Sequence, residues 1–258
     1  MAGRVLRTAV LALLAVEVLD ELVFGAREAA WPLIRRDLGL GYAEVGLLLS
    51  IPPYVSMVAE PGIGLLGDTR WRRAVVAAGG VAFALALVGA ALAASFWPLL
   101  IAFVVLFPAA GAFVSLSQAT LMDLDPDGRE RNMARWSVAG GLGAVGGPLA
   151  VAALAGWGGA WRWLFGAFAL LALGLLLATM RVWPAAPTVA PARPSVRAGL
   201  RAARRPTVVR WLMVLEFADL LTDVLLGFLA LSRRRRGDSP SRCGPGRAWS
   251  AGSESSSS

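Results

Sequence analysis

Long apolar stretches, separated by short clusters of arginine or acid, make up most of this chain. A membrane-crossing helix needs about 20 mainly apolar residues, and seven stretches meet that standard: residues 9–33, 43–66, 74–94, 96–122, 136–154, 161–180 and 208–231. The first six follow one another closely. The seventh comes after a segment holding Pro184, Pro187, Pro191, Pro194 and Pro206, which cannot itself span because each proline removes a backbone donor and clashes with the preceding turn. The pattern predicts an all-α polytopic membrane protein. It consists of a six-helix transmembrane bundle over 1–183, a Pro/Arg-rich linker over 184–206, a seventh transmembrane helix over 207–231 and a tail over 232–258. The tail is rich in Ser, Gly, Pro and Arg, a composition that builds no core and predicts disorder.

Composition sharpens this picture by exclusion. The chain is 57% hydrophobic, and its 25 basic residues are all arginine, with neither lysine nor histidine. That removes the phosphate-loop lysine, the Schiff base, the imidazole base and the His-bound metal. Cys243, the one cysteine, stands in the tail and allows no intrachain disulfide. We therefore expect no enzyme, no cofactor and no metal site. The Asp123-Leu124-Asp125-Pro126-Asp127-Gly128 run imitates a calcium loop, but Ala134 stands where its closing glutamate belongs, so it reads as an acidic turn.

A pI near 11.3 could point to nucleic acid, but the arginines gather at the ends of the apolar stretches, where they set membrane orientation. With the N-terminus inside, the inner face collects Arg4, Arg7, Arg70, Arg72, Arg73, Arg129, Arg131, Arg135, Arg181 and the linker arginines. The outer face receives only Arg35, Arg36 and Arg162. The expectation is a multi-pass cell-membrane protein with a cytoplasmic N-terminus, in contact with lipid and not with nucleic acid. Arg4 and Arg7 before an apolar run resemble a signal peptide. Glu17, Asp20 and Glu21 follow with no cleavage pattern, so the first helix is read as retained.

Acids inside spans are costly and usually face a bundle interior or a water-filled path. Glu17, Asp20, Glu21, Phe24 and Glu28 share one face of the first helix, with Arg27 beside them. Glu216 and Asp219 repeat the three-residue spacing of Glu17 and Asp20 at the start of the seventh helix, and Asp223 extends that stripe by a turn. These six acids, Glu17, Asp20, Glu21, Glu216, Asp219 and Asp223, are the candidate path for a solute or protons. Structural pairing with Arg27 is the competing role. Glu60, two turns before Asp68, is read as a bonding partner of the loop arginines that follow it.

Three motifs carry a family resemblance. Gly64, Asp68, Arg72 and Arg73 sit between the second and third spans in a run that resembles the Gly-x-x-x-Asp-Arg-x-Gly-Arg-Arg loop of major facilitator superfamily transporters, with Thr69 and Trp71 departing from it. Gly143, Gly147 and Pro148 are similar to the fifth-helix motif of that superfamily's proton antiporters, although Val151 and Ala152 replace its last two glycines. Trp161-Arg162-Trp163-Leu164-Phe165 is similar to the opening of the sixth helix in many of its exporters.

The resemblance extends over residues 8–231. It implies a proton-coupled secondary transporter, with export as one direction, that binds a small solute near the midplane between two six-helix bundles and works by alternating access. The Asp68 loop would act as its gate. Against that frame the tail reads as a lost reading frame near Ser232, leaving an incomplete transporter. A membrane-embedded structural or interaction subunit without transport is the alternative.

The orientation has a direct check. Reporters fused near Arg197 should label as cytoplasmic and reporters near Ser95 as external; the reverse pattern overturns the N-in reading.

Overall fold

A computed structural model describes residues 2–154, 156, 160–183, 205–207, 209–211, 213–214 and 217, with side chains described from Leu6 onward. The chain divides into two compact units, Met1–Pro194 and Ser195–Ser258. In the first lie α1 (Ala2–Leu38), α2 (Tyr42–Gly67), α3 (Arg72–Leu92), α4 (Phe96–Ala110), a π-helical turn (Gly111–Ser115), α5 (Leu116–Leu124), a 3₁₀ turn (Pro126–Gly128), α6 (Arg129–Leu154) and α7 (Ala160–Arg181). Among the described residues there is no strand. In the second unit the described residues are short helical pieces between Pro206 and Phe217. Most of the expected 208–231 helix, with Glu216, Asp219 and Asp223, and the whole tail lie outside the described residues.

Among the described residues, five segments are long and apolar enough to cross a membrane: Tyr42–Gly67, Arg72–Leu92, Phe96–Leu124, Pro126–Leu154 and Ala160–Arg181. Helix α1 fails that test because it carries Glu17, Asp20, Glu21, Arg27 and Glu28. It is instead walled in by protein. Ala9, Leu13, Val16, Leu19, Val23, Ala26, Ala30 and Ile34 are all buried and recur every three or four residues, which is one continuous helical face. At 37 residues and about 1.5 Å per residue, α1 is longer than the roughly 30 Å hydrocarbon layer.

Glycine ends α1. Gly39 adopts φ 63°, a left-handed conformation that costs an L side chain about 1 kcal/mol or more, and the Leu40 amide closes back on the Arg35 carbonyl at 3.0 Å. This is the Schellman closure that satisfies the last turn's carbonyls. Two residues on, the Gly41 amide donates to Glu44 Oε2 at 2.7 Å and starts α2.

The fourth span is continuous through its π turn. Pro108 supplies no amide to the ladder, and the wider turn follows three residues later. Ser117 Oγ donates to the Phe113 carbonyl at 2.6 Å and Thr120 Oγ1 to the Leu116 carbonyl at 2.7 Å, so hydroxyls supplement the backbone where it is irregular. This turn packs on α3 at Gly79, where an added Cβ would lie 2.8 Å from the Phe113 amide nitrogen.

Helices α1 and α6 form the most extensive contact in the bundle, and small residues make it possible. A Cβ added to Gly147 would lie 2.5 Å from both the Ala26 amide nitrogen and the Leu22 carbonyl oxygen; one added to Gly143 would lie 2.6 Å from Glu21 Cβ. From the other side, a Cβ on Gly25 would meet the Ala144 carbonyl at 3.0 Å and Pro148 Cδ at 3.1 Å. On the opposite face of α6, Val138, Leu142, Val145 and Leu149 are exposed, an apolar surface suited to hydrocarbon.

Substitution separates packing from propensity here. Gly147→Leu should destabilise the detergent-solubilised protein by about 3 kcal/mol or more. Gly141→Ala, at a position with nothing within 4 Å, should be neutral or stabilising by up to about 1 kcal/mol. Thermal unfolding of both variants checks the pair, and equal effects would remove the close α1–α6 approach from the account.

Candidate functional site

The glycine face of α6 is the floor on which the α1 carboxylates rest. Trp136, Gly140, Gly143 and Gly147 follow one another at four-, three- and four-residue steps and share that face. Glu17 Oε1 lies 2.8 Å from where a Gly140 Cβ would be, and Glu21 Cγ lies 3.5 Å from the same point. Glu17 is buried and hydrogen-bonds with the Trp136 side chain. Asp20 lies within electrostatic reach of Glu17, Glu21 and Arg27, and its Oδ1 is buried without a hydrogen-bond partner. Three carboxylates thus occupy one turn of a helix held against bare backbone.

Two turns further on, the sequence places Arg27 and Glu28 side by side, and the fold separates them. Arg27 is buried, whereas the Glu28 side chain is 54% exposed and pairs with Arg27 Nη2. The interior stripe therefore runs through Arg27 and not through Glu28, because the guanidinium finds aromatic faces inside. Its carbon lies 4.9 Å from the Phe24 ring centroid, 4.8 Å from Phe107 and 6.0 Å from Phe103. Phe24 and Phe107 meet edge to face at 5.1 Å, and Trp31 meets Phe103 in the same way at 5.9 Å.

At one end of the bundle, the loop between α2 and α3 ties three spans together. Arg72 donates Nε to the Gly67 carbonyl at 2.6 Å and Nη1 to Asp123 Oδ2 at 2.6 Å, and its Nη2 stands 3.7 Å from Asp68 Oδ1. Arg73 Nη2 donates to the Met180 carbonyl at the end of α7, 3.1 Å away. Thr69 Oγ1 shapes the turn itself, donating to the Leu66 carbonyl at 2.6 Å and accepting from the Trp71 amide at 3.1 Å. Asp125 accepts from the Gly128 amide and from Arg131, so the acidic run is a turn with its own arginine. Glu60 is a correction to the sequence reading: it is exposed and accepts from Ser56 Oγ at 2.9 Å. A position two turns before the loop faces along α2 toward Gly111 instead of down to the arginines.

At the other end, Arg162 is the hub. It donates to Asp37 Oδ2 at 3.1 Å and to the carbonyls of Ala91 and Ala93 at 3.0 and 2.6 Å, and it lies 4.3 Å from the Trp161 centroid. The Trp161 indole donates to the same Asp37 oxygen at 3.3 Å. Neither Asp37 nor Asp123 was singled out from the sequence as an arginine partner. Each stands at a span end, more than 50 residues from its arginine in one case and more than 120 in the other. Among the described residues, no three His, Cys, Asp or Glu side chains are grouped to hold a metal ion.

The model of the Major Facilitator Superfamily matches residues 20–233. The chain belongs to the Major Facilitator Superfamily. It is thus a multi-pass membrane transporter by family, and not an enzyme. No curated protein sequence matches it. In this facilitator the family loop, Gly64 to Arg73, is the Arg72–Asp123 and Arg73–Met180 tether. The small-residue motif Gly143, Gly147 and Pro148 is the seat of α1. Glu216, Asp219 and Asp223 lie outside the described residues.

The two aspartates that meet Arg72 should differ in weight. Asp123 is closer and its side chain is 38% exposed, against 63% for Asp68. In double-mutant cycles with Arg72→Gln, read by thermal unfolding, the Asp123→Asn coupling should reach about 1 kcal/mol and the Asp68→Asn coupling should stay below about 0.5 kcal/mol. The opposite order would transfer the tether to Asp68.

Proposed function

We propose that this facilitator is a proton-coupled secondary transporter of a small solute, working by alternating access, in which Glu17, Asp20 and Glu21 exchange the protons. The observation that carries the reading is their placement: three carboxylates within one turn of α1, Glu17 and Glu21 seated on the glycine face of α6 and Asp20 beside them with its Oδ1 buried and unbonded. Acids held at that depth are costly unless they serve a path, and a proton taken up or released there changes the charge of the interior by a full unit. Glu216, Asp219 and Asp223 enter the proposal on their sequence spacing alone. Export, with protons moving inward, is the direction suggested by the likeness of the α6 motif to that of proton antiporters.

The gating part of the proposal rests on the two arginine hubs. Arg72 and Arg73 join span ends on one side and Arg162 joins span ends on the other. Alternating access requires such contacts to form on one side while they loosen on the other. With the N-terminus inside, the Arg72 hub is the cytoplasmic one.

The test is solute-dependent proton movement. A transporter that carries these six helices together with a complete second bundle is reconstituted into liposomes holding a pH-sensitive dye, and candidate solutes are added across a proton gradient. Glu17→Gln and Asp20→Asn should each lower coupled proton movement by about 10²-fold while inserting normally. Unchanged coupling in both variants would remove the carboxylates from the mechanism, and solute flux without proton movement would remove the coupling.

A further inference from the structure

We infer that Arg27 and Trp31 form a recognition site for the carboxylate of an organic anion, with the surrounding rings taking its apolar body. The inference deepens the proposed transport function and rests on α1 being the solute-binding helix. Arg27 is buried, and its Nε and Nη1 have no hydrogen-bond partner; one turn later, Trp31 Nε1 is also buried and unpartnered. Unsatisfied buried donors are rare in folded proteins, because the hydration they lose is not replaced. Here they cluster on one helix face within a single turn.

Charge points the same way. The carboxylate that pairs with Arg27, Glu28, is more than half exposed and occupies only Nη2; Asp20 lies within electrostatic reach but bonds to neither Nε nor Nη1, so the buried side of the guanidinium lacks a bonded counter-charge. A buried cation without one is strongly unfavourable. Packing already supports its faces: the Phe24, Phe103 and Phe107 rings stand within 6.0 Å of the guanidinium carbon, which leaves the N–H edges as the part still to be filled. Those edges and the indole N–H donate to a ligand oxygen and offer no acceptor to a cation. A carboxylate offers two acceptor oxygens and a single charge, so it is cheaper to bring out of water than a phosphate dianion, and its bonds to guanidinium are charge-assisted. The same four rings make an aromatic or branched apolar body the fitting remainder of the solute.

The experiment is equilibrium binding to the purified full chain in lipid nanodiscs, by calorimetry and without any gradient. The probes are benzoate, phenylacetate and hexanoate, with benzamide, benzylamine and phenyl phosphate as matched controls. At least one carboxylate should bind, at least about tenfold more tightly than benzamide and benzylamine. Trp31→Phe, which keeps the ring against Phe103 and removes only the N–H, should weaken that binding about tenfold, and Arg27→Gln should abolish it. The wild-type comparison needs no variant to fold.

The inference is overturned if none of the three carboxylates binds, if benzamide or benzylamine binds as well, if phenyl phosphate binds more tightly, or if Trp31→Phe leaves binding unchanged. Because no proton gradient is present, its failure is separable from that of the coupling proposal. Carboxylate binding with no coupled proton movement would sink only the latter, and coupled flux without carboxylate binding would sink only this one.

Discussion

Helices in hydrocarbon gain little from burying apolar side chains against one another, since the lipid is equally apolar; close packing and polar contacts must hold them together. In this chain the constraint is met at the α1–α6 seam. Gly140, Gly143 and Gly147 remove every side chain that would hold the two backbones apart, and Gly25 does the same from α1. The seam also makes a charged helix tolerable. α1 carries too many ionisable residues to pass as a lipid-facing span, and it stands inside the bundle because α6 and α7 cover its face. The carboxylates of Glu17 and Glu21 are therefore placed by glycine packing, and a larger residue at Gly140 would collide with Glu17 before it touched anything else.

The ends of the bundle are held differently from its middle. There the ties are guanidinium forks on carbonyls and carboxylates, with Arg72 and Arg73 on one side and Arg162 on the other. Such bonds are partly solvent-exposed and individually modest, so they can be exchanged at small cost. A seam of interlocked backbones cannot be exchanged without separating the helices. The proposed alternating access draws on this division: a bundle that moves as a body while its ends change partners.

Much of this was legible in the sequence for plain reasons. Spans are read from apolar length, and a lipid environment leaves helices as almost the sole open form for such segments. The loop from Gly64 to Arg73 is a contiguous motif, so its residues are near one another whatever the fold. Long-range partners were not legible. Arg72 meets Asp123 and not Glu60, because Glu60 stands two turns up α2 while Asp123 is brought to the loop by the end of the fourth span. The π turn after Pro108 leaves no sequence period of its own. A helical wheel places Arg27 and Glu28 almost together; only the positions of Phe103 and Phe107 on α4 decide that the cation goes inward.

The chain uses arginine for all its positive charge, and three of these arginines show how saturation separates a structural from a binding role. Arg72 has three acceptors around its fork, and Arg162 has three acceptor atoms and an aromatic face. Both stand near the span ends, where water could have supplied what protein did not. Arg27 stands deeper in α1 and is less exposed than either, yet it has one exposed carboxylate and two nitrogens without partners. A side chain kept for packing would be expected to show the reverse order, with the most buried fork the most fully bonded. The inversion at Arg27, shared by the neighbouring indole of Trp31, is the observation on which the proposed carboxylate site rests.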